Sequence, residues 1–326
     1  VLSLREAVVL ANAAGGKANI TFDEALAGSS IVLKKGQLTL SAGMSIDGDI
    51  DGDNKADVAL SGNGSNRIFN IHPGTGTVSL LSLTLTNGNA SSSSGGAIFH
   101  SGGALLIADT TISNSSAGTG GGICSYYGTL TVLNSLVTGN TSTGRGAGIY
   151  TFYDPAITIV NSTIHGNQTS YFGGGVAMSG GGTASIFSST ITGNVGEGVN
   201  ANPGVIVLMY NSVVAENMTG DGTTPRDVLG PISQGFGNVF STTPVITSGS
   251  GNQFNVSDLK LGELLDNGGA VLTLSPLDGS ILIGVGSSFA LPLDTLDIDD
   301  DDNTTEFLPL DGRGGFRIRG LEVEIG

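Results

Sequence analysis

The sequence predicts an all-β chain wound as a right-handed parallel β-helix, with coils of about 25 residues, an N-terminal helical cap and a C-terminal cap. Three observations carry that prediction. The first is composition: 54 of 326 residues are Gly, 12% are charged and 39% are hydrophobic, too apolar and too little charged for a disordered chain. The second is an internal repeat. Aliphatic residues recur at Leu85, Ile112, Val137, Ile164, Ile191 and Val214, spaced 27, 25, 27, 27 and 23 residues apart. A second register follows glycine clusters at Ile98, Ile123, Ile149, Val176 and Val199, and a third precedes the first at Asp109, Asn134, Asn161, Ser188 and Asn211. The third observation is the size of the unit. Three short strands in about 25 residues cannot bury their own apolar face, whereas coils stacked at roughly 4.8 Å can. No helical period appears, and a propeller blade needs about 40 residues.

The elements follow in order. Residues 1–60 form the N-terminal cap and first coils. "SLREAVVLANAAGG" reads as a helix with Ser3 as N-cap, Glu6 at the capping-box position, a face of Leu4, Ala7, Val8 and Ala11, and Gly15 as its stop. Such a helix has a physical purpose, because a β-helix exposes open strand edges at its ends. Strand signals follow at "NITF", "SIVL", "QLTL" and "MSI". Residues 61–240 hold the coils, whose strands alternate apolar and small polar residues, as in "GTLTVLNS" and "AITIVNS". The Asn-rich third register predicts a side-chain amide ladder, and Gly the corners with positive φ. Residues 241–326 lose the repeat and read as the C-terminal cap, the whole forming one continuous domain.

A net charge of −16 and only 12 scattered Lys and Arg exclude nucleic acid and anionic membrane as partners. No apolar run reaches the length of a membrane span. The single Cys124 excludes an intrachain disulfide framework and reads as an inert buried thiol. The chain begins at Val1, so removal of an upstream export segment is expected.

"LSLREAVVLAN" resembles the motif that opens CSLREA-type bacterial exported β-helix proteins, with Leu2 where that family often has Cys. "LGELLDNGGAVLTLSPLDGS", "FLPLDGRGG" and "RGLEVEIG" resemble the closing choice-of-anchor-Q region, with Glu324 in place of Asp. The resemblance spans nearly the whole chain. It implies a β-helix at the cell surface or secreted, and no particular activity.

Thirteen of the 28 acidic residues fall in two stretches, 47–57 and 294–311. Alternate spacing at Asp49, Asp51, Asp53 and Asp57 lets one loop aim several oxygens at a point, and like charges so close call for a cation. Ca²⁺ takes six to eight oxygens and tolerates irregular geometry. Asp297, Asp299, Asp301, Asn303 and Glu306 repeat the pattern. Neither is an EF-hand: Asn54 stands where its Gly belongs, and Glu is missing from loop position 12. Structural calcium sites are the expectation, with solvated acidic turns as the alternative.

No catalytic residues are assigned. Between residues 68 and 225, Arg145 is the one basic side chain besides His, and the acids Asp109, Asp154, Glu197, Glu216 and Asp221 form no evident pair. His72, His100 and His165 carry weak signals, His165 reading as surface. Tyr126, Tyr127, Phe152 and Tyr153 hold equivalent positions on neighbouring coils, with Asp154 adjacent and Tyr150, Tyr171 and Phe172 near. That predicts an aromatic patch for glycan or partner contact, or one that only stabilises two coils. Ten Asn-x-Ser/Thr sequons follow from composition. The expected function is a non-catalytic extracellular structural or adhesive protein that is calcium-stabilised, self-associating or bound to a cell-surface glycan. The alternative is a polysaccharide lyase, hydrolase or epimerase with a site near Arg145, Tyr153, Asp154 and His165.

Overall fold

The computed structural model describes residues 2–74, 76–154, 156–288, 291–294, 303–319, 322–323 and 325–326. Three parallel sheets wrap one core. The first stacks Ala18–Ile20, Met44–Asp47, Thr77–Leu81, Ala104–Ala108, Thr129–Leu133, Ala156–Val160, Thr183–Phe187, Ile206–Tyr210, Gln234–Phe236 and Gly249–Ser250. The second runs from Ser29–Val32 to Val239–Phe240, and the third from Leu38–Leu40 to Val228–Leu229. Each chain segment visits the three in turn and pairs with its equivalent one coil on, as a right-handed β-helix requires. The repeat read from sequence is the observed register: Leu85, Ile112, Val137, Ile164, Ile191 and Val214 are successive partners, and so are Ile98, Ile123, Ile149, Val176 and Val199.

Inward-facing aliphatics of all three sheets fill the lumen, among them Val78, Leu105, Leu130 and Ile157 in one stacked row. At roughly 2 kcal/mol for each fully buried aliphatic, stacking of coils is the principal favourable term. The corner between the first and second sheets is left-handed in every middle coil: φ is 46° at Ser82, 52° at Asp109, 44° at Asn134, 50° at Asn161 and 48° at Ser188 and Asn211. Asn, Asp and Gly tolerate that region best, which explains the third sequence register.

The amide ladder lies elsewhere than predicted. It forms one sheet later, from Asn140, Asn167, Asn194 and Asn217, all fully buried. Each side-chain amide donates to the Oδ1 of the next at 2.9–3.0 Å, and the Asn217 amide reaches Asp227 Oδ1 at 3.3 Å. Each Oδ1 also accepts the backbone N–H of the residue one coil back. Ser135, Ser162, Ser189 and Ser212 form a parallel hydroxyl ladder at the first corner. The sequons at Asn140, Asn167 and Asn217 therefore place their amides inside the fold.

The helix Leu4–Ala14 has the capping box and the left-handed Gly15 read from sequence. It buries Val8 and Ala11 and closes the N-terminal end of the third sheet. Arg5 donates to the carbonyls of Gly36 and Gln37, while Asn12 donates to Thr39 O and accepts from Ser41 N. These bonds occupy backbone groups that an edge strand leaves open.

The C-terminal segment is a strap rather than an end cap. Past the hairpin of Leu261–Leu265 and Thr273–Pro276, it runs back along the first corner. Ser287 exchanges two hydrogen bonds with the Asn211 side chain, and Asn161 donates to Leu310 O and accepts from the buried Arg317. Leu308 packs on Ala108, Leu133 and Val160, on the outer face of the first sheet. Leu259, Leu282 and Ile325 pack on Val213, Ala215 and Val239, on the second.

Candidate functional site

The third sheet builds the aromatic site. Along Ile123–Tyr126 and Ile149–Phe152, alternate residues face the lumen, so Cys124, Tyr126, Tyr150 and Phe152 face outward. Five of the six tyrosines gather there or just beside: Tyr126, Tyr127, Tyr150, Tyr153 and Tyr171. Tyr126 contacts Phe99, Tyr150, Phe152 and Tyr153 edge-on, with centroids 5.3–6.5 Å apart. Tyr127 and Tyr153 stack face to face at 4.9 Å and 6°. They are 54% and 46% exposed.

Both stacked residues sit at a left-handed corner, with φ of 58° and 66°, and Asp154 follows at 59°. Left-handed backbone costs a residue with a Cβ about 1–2 kcal/mol. Aromatic pairs return about 0.5–1.5 kcal/mol each. The corner is therefore near break-even against the glycine that other coils use there.

The cations beside the rings, Arg67 and Arg145, are both engaged. Arg67 lies over Phe99 and donates to the Ser94 and Gly95 carbonyls. Ser179, almost fully buried, accepts hydrogen bonds from Arg145 at 3.1 Å and Asn202 at 3.0 Å. The Arg145 guanidinium lies over the Tyr171 and Phe172 rings, 5.6 and 5.9 Å from their centroids. Burial pushes the Cys124 thiol up to about 12, so it is not nucleophilic at neutral pH.

Of the residues weighed for catalysis, Tyr153 and Asp154 are neighbours at the corner after the third sheet, and Arg145 is in the turn before it. His165 ends a strand of the second sheet, where its Nδ1 is 3.1 Å from Thr192 O. Glu197 is buried and used structurally: it accepts from Gly173 N and from Arg226. His100, unremarked in the sequence beyond its nearness to Ile98, points into the lumen with Nδ1 2.8 Å from Ser125 Oγ. Burial holds its pKa down, to about 4. Period-two alternation from Ile98 would have found this inward position.

The first acidic loop is an enlarged first corner between Met44–Asp47 and Val58–Ser61. It brings carboxylate oxygens of Asp49, Asp51 and Asp57 within 4.8 Å of one another. Asp53 is not in that group; its carboxylate accepts from Lys55 N, closing a local turn. Asp49 accepts from Gly52 and Asn54 N–H groups, and Asp57 from Ile50 N–H. Burial, then the nearby Asp49 charge, raises the Asp47 pKa against the Asp49 N–H, which lowers it. The three clustered carboxylates suit a hard cation by donor type. In the second stretch, Asp297, Asp299 and Asp301 lie outside the described residues. The Asn303 side chain accepts from Thr305, and the carbonyl of Glu306 accepts from Asp294 N.

The family follows from this architecture. Residues 49–221 match the family described as right handed beta helix region, and the chain belongs to it. A solved structure titled "Crystal structure of pectate lyase Pel9A" is similar at 14% identity, covering 83% of this chain and 82% of that one, with a TM-score of 0.32. Comparison with curated proteins found no match.

Proposed function

We propose that this chain is a non-catalytic structural or adhesive protein of the cell surface or extracellular matrix, exported and stabilised by calcium. One observation carries the reading: the coils bring aromatic rings together and hold the groups weighed for catalysis apart. Glycoside cleavage needs two carboxylates about 5–10 Å apart across one groove, and lyase or epimerase chemistry needs a base beside a charge-neutralising group. Arg145, His165 and the Tyr153–Asp154 pair stand on different faces or turns, with Arg145 and His165 each held by protein partners. The ladders and the strap suit a rigid rod.

Calcium at Asp49, Asp51 and Asp57 is part of the proposal, supported by their grouping. The CSLREA and choice-of-anchor-Q resemblance supports the surface location. Self-association belongs to the same reading, because Ser29–Val32 remains the outermost member of its sheet. The deciding experiment incubates the protein with acidic and neutral polysaccharides in millimolar calcium and measures new unsaturated and reducing ends. Turnover removed by Tyr153→Phe or Asp154→Asn would make the chain an enzyme; a panel without turnover keeps the adhesive reading.

A further inference from the structure

Four coils meet at the corner after the third sheet, and the sequence treats them differently. Strand register makes Gly102, Tyr127, Tyr153 and Gly180 equivalent. All four are left-handed, with φ of 78°, 58°, 66° and 82°. The two outer coils use the residue that this backbone favours. The two inner coils place there one of the bulkiest side chains, where left-handed φ is a genuine outlier. Tyr153 continues into a third departure, left-handed Asp154.

What the strain secures is an exposed pair of parallel rings, with the Phe152 ring packed against Tyr153 at 3.9 Å between centroids. Next to Tyr127 the neighbouring coil presents Gly102 and Gly103; next to Tyr153 it presents Gly180, Gly181 and Gly182. Coils are spaced at about 4.8 Å, close to the thickness of one ring. The Gly102 corner therefore leaves a slot about one ring thick against the outer face of Tyr127, while the Gly180 corner leaves a recess beside Tyr153 that Phe152 narrows. Backbone and two side chains line the second recess: a Cβ on Gly180 would stand 3.0 Å from Tyr153 N and 3.5 Å from Phe152 Cδ2, and one on Gly181 would stand 3.1 Å from Asp154 Oδ1. The Asp154 carboxylate thus borders the second slot as a hydrogen-bond acceptor.

A ligand for such slots is flat, apolar on its faces and hydroxylated at its rim, the description of a pyranose ring. The sign of its charge follows too. Asp154 sits at the slot, the chain carries −16, Arg145 is turned onto Ser179, Tyr171 and Phe172, and Arg67 is turned onto Phe99, Gln37, Ser94 and Gly95. Uronate and sulfated sugars are repelled there. The geometry points to a binding site for a neutral glycan. A pyranose face stacks on the outer face of Tyr127, the adjoining sugar meets the exposed edge of Tyr153, and Asp154 accepts from a sugar hydroxyl. This deepens the adhesive reading and rests on it.

The chain has no tryptophan, and five of its six tyrosines surround the site, so intrinsic tyrosine fluorescence reads occupancy. The full chain is titrated with laminarihexaose, cellohexaose, mannohexaose and, as the anionic comparison, trigalacturonate. Reducing ends are measured in the same samples. We expect saturable fluorescence change with at least one neutral hexasaccharide and none with trigalacturonate. The Tyr127→Gly/Tyr153→Gly double variant should bind at least tenfold more weakly while keeping its urea midpoint, since glycine relieves the strained corner. Should that variant lose stability, Tyr127→Phe and Tyr153→Phe keep the test open: each should bind within about threefold of wild type, and Asp154→Asn should weaken binding by less than the double variant does. Failure of all three neutral sugars, binding untouched by the double variant, or a preference for trigalacturonate overturns the site. New reducing ends overturn the adhesive reading instead, whichever way the variants bind.

Discussion

Replacing Asn167 by Ala should be among the most damaging single changes in the chain. The Asn167 Oδ1 accepts both the backbone N–H and the side-chain amide of Asn140, each at 3.0 Å, and its own amide donates to Val137 O at 2.9 Å and Asn194 Oδ1 at 3.0 Å. Alanine removes all four bonds from a site with no solvent access. The Asn140 amide keeps Ile112 O, and Asn194 Oδ1 keeps the Asn167 backbone N–H. The Asn140 backbone N–H has no such second partner among the described residues. An orphaned buried donor costs about 1–3 kcal/mol, and each weakened partner about 1 kcal/mol more, so the expected loss is about 3–5 kcal/mol. Urea unfolding followed by far-ultraviolet circular dichroism measures it. Thr141→Ala, exposed on the preceding coil beside Asn140, serves as the control, with an expected change under about 0.5 kcal/mol. A loss below about 1 kcal/mol for Asn167→Ala would refute the ladder as a source of stability.

Four further outcomes are expected. His100, with its pKa held near 4 by burial, stays neutral when folded while the unfolded chain takes up a proton below about 6.5; its contribution is complete above pH 6.5 and is lost as pH falls toward 4. The pH 7.5 to 4.5 drop in unfolding free energy should therefore be about 2–3 kcal/mol smaller in His100→Gln than in wild type. Calcium at ten times its dissociation constant should add about 1.4 kcal/mol over chelator, and Asp49→Asn should abolish the gain; equal melting in calcium and chelator would remove the metal. Cys124 should resist a thiol reagent such as dithionitrobenzoate at pH 8 until urea unfolds the chain. Asn161→Ala, which takes partners from Leu310 and the buried Arg317, should expose the C-terminal strap to limited proteolysis before the coils.

The coils were legible because period and stacking are one fact: residues that align in sequence pair in space, as Ile112 with Leu85 and Val137 shows. The helix cap was legible because capping is local, within Ser3 to Glu6. The ladder was misplaced by one sheet because two asparagine registers run through each coil. One answers a backbone demand for left-handed φ and the other a buried hydrogen-bond demand, and composition looks alike for both. The strap was not legible at all, since Ser287 finds Asn211 across 76 residues and Arg317 finds Asn161 across 156. The rings of Tyr126, Tyr127, Phe152 and Tyr153 were readable from register; the strain beneath two of them was not, because φ leaves no mark on a tyrosine codon. Asp53, grouped with its neighbours by spacing, stands outside the cluster of Asp49, Asp51 and Asp57, with its carboxylate accepting from Lys55 N.

The strap also changes how the rod bears load. In a plain solenoid each coil grips only its neighbours, so a pull can peel one coil at a time, at the force of the weakest seam. Here a returning segment is fastened to corners at Asn211 and Asn161 and reaches Lys55 through Asp266. Peeling a coil under that segment also means tearing away a tether shared with distant coils, so the seams give way together. Tension applied along the shaft is thereby spread over several coils, and failure comes late and all at once.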